Sequence, residues 1–468
     1  MSPHPHHLRA GLLALCLVAA CAPEPERKPD ILLVTLDTLR SDFVSAYGYP
    51  RKATPRLDAL AAEGALFENH FTTIATTAPA HATLFTGLFA REHGLTKNGQ
   101  ALSEELTALP ELLQSEGYRT GASIGASILG SKHGFARGFD EFDEDFGESV
   151  LRPAGKSGKY ERYAESVIDR AIAIAEAPGE QPLFLWVHLY DVHEPYQPPI
   201  ASPLEPEQNL KFFRKRAEAS KSYDRELLGR MHAGYEAEVF YVDREFGRLL
   251  DAWDRRPTGP ESLVVVTSDH GEGLGEHDYQ GHGFLLYEEQ VKVPLILRKR
   301  GLLEGGKRVT AYTSMVDLGA TMLSLAGFGD LPGFRGQPLI RPPGHSPTNR
   351  DIFAERRFFT ELDLERSEAL RRLTRANPKK PIGSIGEKCV LIRDGWKFIW
   401  NESGRHELYS LESDPREERN LLSEEAERAA EMLATLEAWR ERKSRVTPAS
   451  GDDSPDGATQ EMLDALGY

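Results

Sequence analysis

Cysteine is scarce in this chain, with three in 468 residues. Cys16 and Cys21 belong to an N-terminal apolar stretch, which leaves Cys389 alone for the rest. An intramolecular disulfide framework is thereby excluded. Cys389 lies in the apolar run Cys389-Val390-Leu391-Ile392 and reads as inert core, with no catalytic-cysteine signature around it. Long apolar runs are also lacking. Ala10 to Ala20 is too short for a spanning helix. An excess of positive charge is absent: 72 acidic residues face 56 basic ones, for a formal charge of −16. That balance argues against nucleic acid as a partner. It leaves room for an anionic substrate in a locally positive pocket. No internal repeat is present, which removes solenoid architectures.

What is present begins with a targeting segment. Arg9 precedes the apolar run, and Val18-Ala19-Ala20-Cys21 closes it with small residues, as in a bacterial lipobox. Residues 1–21 are expected to be a lipoprotein signal peptide, with Cys21 lipidated after cleavage. An ordinary secretory signal is the competing reading. Residues 22–28 form a tether. The expected location is the bacterial cell envelope, on its periplasmic or extracellular face, with outer-leaflet or outer-membrane lipid as the partner of Cys21. Oligomeric state is not readable.

The chain is organised around Thr77-Ala78-Pro79-Ala80-His81-Ala82-Thr83-Leu84-Phe85-Thr86-Gly87. Pro79 suits a first helical turn, and Thr77 stands near the positive end of that helix. His81, four residues on, shares its face. This is a nucleophile turn or a helix capped by threonine.

Buried strands of a parallel sheet are predicted at 30–36, 182–189 and 262–267, and a fourth strand at 293–297. Polar residues follow three of them: Asp37, then Asp191 and His193, then Asp269 and His270. Open α/β sheets bind ligands at such ends. His282 lies in a Gly-rich loop just beyond. Helices are predicted from Thr54-Pro55, with Thr54 as N-cap, and over 160–177, 235–253, 316–326 and 424–442. Asp394-Gly395 marks a hairpin turn. The expected fold class is α/β, a large mostly parallel sheet sandwiched by helices, with a small C-terminal antiparallel sheet-plus-helix subdomain. The expected divisions are a catalytic domain over 29–345, a charged insertion or lid over 346–385, the subdomain over 386–445, and a linker and tail over 446–468.

Several ordered blocks resemble the sulfatase family of the alkaline-phosphatase-like superfamily, over most of residues 29–442. They are Ile31 to Asp42 with Ala46-Tyr47-Gly48-Tyr49-Pro50, the Thr77 to Gly87 signature, and Thr267-Ser268-Asp269-His270-Gly271 through Gly275-Glu276-His277. Tyr287-Glu288-Glu289 with Val293-Pro294-Leu295, and Glu407-Leu408-Tyr409-Ser410-Leu411 to Asp414-Pro415, complete the set. The resemblance implies one divalent metal (Ca, Mn, Zn or Mg) on Asp37, Thr77, Asp269 and His270. It implies His193 and His282 on substrate oxygens, one of them as general acid, with His81 in the place of a signature Arg, supporting the Thr77 turn or, when protonated, the anion. A second metal would use Asp191, His193 and His282. Arg40 and Lys97 are candidates for the anion, with a surface salt bridge as the competing role of each.

The chain departs from the family where Thr77 replaces the Cys or Ser that becomes formylglycine. It departs again where Thr38 replaces an Asp and His270 an Asn. Threonine is not a substrate for that modification. The pattern resembles branches that work through a phosphothreonine: phosphodiesterases, phosphonate hydrolases and lipoteichoic acid synthases. The expected function is metal-dependent hydrolysis of phosphate, phosphonate or sulfate esters by a Thr nucleophile. The alternatives are transfer of a phospho group to an envelope glycan or lipid, and a degenerate glycan-binding protein.

Overall fold

The computed structural model describes residues 27–147, 160–200, 223–329, 331, 333–340, 347–366, 370, 371, 373, 385–446, 457 and 460. The expected signal peptide, Cys21, most of the tether and nearly all of the tail lie outside them.

The central sheet contains β1 (Ile31–Leu36), β2 (Ala65–Phe71), β3 (Arg119–Ile124), β4 (Glu141–Asp143), β5 (Leu183–Leu189) and β6 (Leu263–Thr267). A two-strand ribbon, β7 (Gly273–Leu274) and β8 (Gln280–Gly281), stands apart. β9 (Leu295–Arg298) and β10 (Lys307–Ser314) complete the large sheet, in the order β10-β2-β9-β6-β1-β5-β3-β4. Every pairing in it is parallel except those of β9, which runs antiparallel to β2 and β6. β1, β5 and β6 are buried along their whole length, as their near-continuous apolar sequence requires.

The longer helices among the described residues are α1 (Pro55–Glu63), α2 (Thr77–Thr86), α3 (Leu109–Ser115), α4 (Ala164–Glu176), α5 (Arg225–Asp254), α6 (Val316–Leu325) and α7 (Ala426–Arg440). Strand alternation sorts the first six into two layers. Ile31 and Leu33, with Phe184, Trp186, Leu263 and Val265, pack against α2, α3 and α6. Leu32 and Val34, with Leu185, Val187, Val264 and Val266, pack against α1, α4 and α5. By the same alternation Thr35, Asp37, His188, Thr267 and Asp269 belong to the α2 side, which is why a site forms there.

The C-terminal sheet is antiparallel, in the order β11 (Ile352–Phe359), β12 (Gly386–Arg393), β13 (Trp396–Asn401), β14 (Glu407–Ser410). Asp394 (φ 47°) and Gly395 (φ 79°) form the turn between β12 and β13. β11 falls where the sequence suggests a charged insertion. Its charges hide the strand because they are buried and paired: Glu355 accepts from Arg91 Nε at 2.9 Å, and Arg356 donates to the Phe284 carbonyl at 2.8 Å. Arg91 also bonds Glu387 at 2.6 Å and Cys389 Sγ at 3.2 Å, so this cluster already holds its cation. Burial pushes the Cys389 thiol well above its ordinary pKa, consistent with inert core.

Two helix starts differ from expectation. α5 begins ten residues before Tyr235, where Asp224 accepts from the Glu226 and Leu227 N–H groups at 2.9 Å each. α1 is capped across the fold. Thr54 makes no side-chain cap, and Asp243 of α5 accepts from Arg56 N at 2.9 Å and Leu57 N at 2.8 Å. Burial pushes the Asp243 carboxyl up to about 7, against the pull of those donors. A raised carboxyl contributes stability that is full below its unfolded value of about 4 and is lost as pH climbs through the folded one. Thermal melts across pH 4 to 7 are therefore expected to show a stability decline that Asp243→Asn flattens. An unchanged slope in the variant would refute this assignment.

Candidate active site

β1 and β6 are in register at Thr35 and Thr267, so Asp37 and Asp269, two residues beyond each, stand side by side. Between them Thr38 adopts a left-handed backbone (φ 55°), a strained choice for a β-branched residue. The strained turn aims the Thr38 N–H at Asp269 Oδ1, 3.2 Å away. His270 N donates to the same oxygen at 2.8 Å. Oδ1 is thus satisfied by backbone, and Oδ2 faces His270 Nε2 at 3.5 Å.

Thr77 arrives from α2. The helix starts at Thr77 itself, with Thr76 in the cap position, so Thr77 is not the cap. Asn98 Oδ1 accepts from Ala78 N at 2.9 Å and ties down this first turn. The Thr77 hydroxyl lies 3.3 Å from His270 Nε2. Every residue of α2 is buried, and Gly87 ends it in the left-handed conformation that favours glycine.

Carbonyl partners assign the protons on two histidines. His270 Nδ1–H donates to the Gly271 carbonyl at 2.9 Å, which leaves a lone pair on Nε2 beside Thr77. Burial lowers its pKa to about 4, so it stays neutral. His81 Nδ1–H donates to the Thr77 carbonyl at 2.9 Å, and its Nε2 accepts from Thr35 Oγ1 at 3.0 Å. Thr35 in turn accepts from Trp186 Nε1 at 3.1 Å. Burial lowers the His81 pKa despite nearby Asp269. His81 is therefore a neutral strut under the Thr77 turn, not a cation replacing the signature Arg.

Donor atoms of Asp37, Asp269 and His270 all lie within 4.8 Å of one another. Asp37 Oδ1 and Asp269 Oδ2 are buried without a hydrogen-bond partner. Burial, then the charge of Asp269, drives the Asp37 carboxyl well above its ordinary pKa, against a hydrogen bond from Thr77. Two dry carboxylates facing a neutral imidazole lone pair fit a divalent cation. Among the described residues, Asp191, His193 and His282 do not form a second such group.

His282 and His193 stand outside this cluster. The His282 ring lies 4.5 Å from that of His270 and 5.1 Å from that of His193. Burial disfavours charge on His282, but Glu272 Oε1, 3.3 Å from Nδ1, outweighs it and raises the pKa. His193 stacks on Tyr190 at 4.5 Å and bonds the Glu194 carbonyl through Nδ1 at 2.8 Å.

Of its two expected roles Arg40 takes the ion pair and not the substrate contact, and it does so buried, not at the surface. Its Nε and Nη2 each bond Asp42 at 2.9 Å, and Nη1 reaches Glu276 Oε1 and the Glu272 carbonyl at 3.0 Å. It lines a cleft with Asp42, Glu276, Glu289 and Glu417 that none of the four expected metal ligands borders. A carboxylate two residues away captures the guanidinium fork before any substrate can. Lys97 is half-buried, with its backbone N–H on Gln100 Oε1 at 3.1 Å. Its neighbour Asn98 is the residue that reaches α2. Asn98, Glu272 and His188 were not singled out by sequence reasoning. For His188 a signal existed: it follows Phe184 and Trp186 at period two, on the face where Asp37 belongs.

A family model described as Sulfatase matches residues 29–328. N-acetylglucosamine-6-O-sulfatase of Bacteroides thetaiotaomicron is 25% identical over 533 aligned positions, covering 93% of this chain and 91% of that one. The multifunctional alkaline phosphatase superfamily protein PehA of Trinickia caryophylli is 23% identical, covering 92% and 99%. In fold, the chain matches the solved phosphonate monoester hydrolase of Agrobacterium radiobacter with a TM-score of 0.65 at 22% identity, covering 88% and 95%.

Proposed function

The chain belongs to the sulfatase family, and on that premise we propose that it is a metal-dependent ester hydrolase whose nucleophile is Thr77. Its substrates are sulfate, phosphonate or phosphate esters. One observation carries this reading: the Thr77 hydroxyl at a helix start lies 3.3 Å from a lone-pair nitrogen of the Asp37–Asp269–His270 group. Those three residues and Thr77 would hold a divalent cation, which lowers the hydroxyl pKa and offsets charge on an ester oxygen.

The Thr77 hydroxyl loses its proton to water, its oxygen attacks the sulfur or phosphorus in line, and the bond from that centre to the ester oxygen breaks. His282 gives its proton to the departing oxygen. Water then attacks the same centre, its proton returns the Thr77 hydroxyl, and sulfate, phosphonate, phosphate or phosphate monoester is released according to the substrate. His81, through the Thr77 carbonyl, keeps the nucleophile turn in place. The names of the relatives support sulfate and phosphonate esters as substrate classes.

Charge counting narrows the substrate. Asp37, Asp269 and Glu272 are offset by protonated His282 and one divalent cation, so the site sums to about zero. A singly charged ester fits better than a dianion. Paired turnover of aryl sulfate, phosphonate monoester, phosphodiester and phosphate monoester across a metal panel tests this. The phosphate monoester is expected to be the slowest, and its being the fastest would sink the reading. His282→Ala is expected to slow esters of alkyl alcohols by about 100-fold or more, while sparing nitrophenyl esters, which leave unaided. Because the acid form is required, alkyl-ester turnover should fall as pH rises through the raised His282 pKa. A flat profile would remove His282 as the acid. The lipobox-like Val18 to Cys21 supports a lipid-anchored envelope enzyme, for which Cys21→Ser should release the protein from membranes.

A further inference from the structure

We infer that His188 is a positioning residue that sets the metal-binding face of Asp37. This rests on the metal-dependent reading above. His188 sits on β5 in register with Thr35 of β1, and the next pair in the ladder is Leu36 with Leu189. The backbone of Asp37 is held by the same strand, through its N–H to the Leu189 carbonyl at 2.9 Å. Its side chain is held by His188 Nε2, which donates to Oδ2 at 3.3 Å. That contact engages one oxygen of a carboxylate whose ligand atom lies within 4.8 Å of those of Asp269 and His270, while Oδ1 makes no hydrogen bond.

The imidazole does nothing else. Its Nδ1 has no hydrogen-bond partner, and both residues are fully shut from water. The ring is also fenced. It meets His81 edge-on at 5.1 Å, and Trp186 and Tyr190 stand at 6.4 and 6.1 Å. These rings pack around the imidazole, and a donor held beside a ligating carboxylate orients it.

The test is Mn2+ binding to full-length protein stripped with chelator, by calorimetric titration, for wild type, H188L and H188Q. H188L removes the donor and is expected to weaken Mn2+ by about 10- to 100-fold. H188Q keeps an N–H and should recover most of the loss. Equal affinity in wild type and H188L overturns the inference and leaves the proposed function intact. Equal weakening in both variants overturns it too, because packing alone would then explain the effect. Wild type that binds no divalent ion would sink the proposed function as well. Should H188L not fold, wild type labelled with 15N-histidine decides the matter. The Nε2–H tautomer of His188 is expected, and the Nδ1–H tautomer overturns the inference.

Discussion

Thr77→Ala is expected to lower turnover by at least about three orders of magnitude while leaving the fold intact. The activity loss follows from chemistry: the Thr77 hydroxyl stands at the start of a buried helix, 3.3 Å from His270 Nε2 of the Asp37–Asp269–His270 group. The intact fold follows from geometry. Thr76, not Thr77, occupies the cap position, so the alanine removes no cap. Asn98 still holds the Ala78 N–H, and His81 still holds the carbonyl of residue 77. Thr77→Ser keeps the nucleophile and should retain measurable turnover. Steady-state rates with thermal melts, plus acid-quenched intact mass for a Thr77 adduct, check all three. An alanine variant with wild-type rates would end the nucleophile assignment.

Chelation is expected to destabilise the wild type and to leave Asp37→Asn unaffected. With the cation at about 100 times its dissociation constant, removing it should lower wild-type stability by roughly 2.7 kcal/mol. The physical reason is that Asp37 and Asp269 are both buried and each keeps an unsatisfied oxygen. Without a cation they repel, which is why the Asp37 carboxyl is driven upward, first by burial and then by Asp269. A group raised in the folded state contributes stability at low pH that disappears as pH rises through its folded value. Metal-free wild type should therefore weaken toward alkaline pH. An asparagine at this position carries no charge, its carbonyl can still accept from His188, and its amide can donate toward Asp269. Metal-free Asp37→Asn should then be more stable than metal-free wild type at pH 8, by about 1–3 kcal/mol. Its turnover should be lost. Melts with and without chelator, at pH 5 and pH 8, would expose an error if the variant were the less stable at both.

The fold class was largely legible. Apolar runs of strand length ending in Asp37, Asp191 and Asp269 imply parallel strands with a site at their carboxyl ends, and the structure has that arrangement. β11 was not legible, because Glu355 and Arg356 are buried with partners contributed from residues far away in sequence. α1 shows the same limit. Thr54-Pro55 marks where the helix begins, but the cap comes from Asp243, nearly two hundred residues on.

Residue identity and spacing by themselves mark side chains that the structure brings near one another: Asp37, Thr77, Asp269, His270 and His282. Strand ends and helix starts are local features, written in contiguous residues. Only the tertiary structure decided which partners each side chain meets. It shows His81 as a neutral strut and Arg40 spent on Asp42 and Glu276, and it brings His188 onto Asp37. The reason is that a side chain's proton, charge and free face depend on burial and on partners from other strands. Those are properties of the packed sheet, which no stretch of sequence contains.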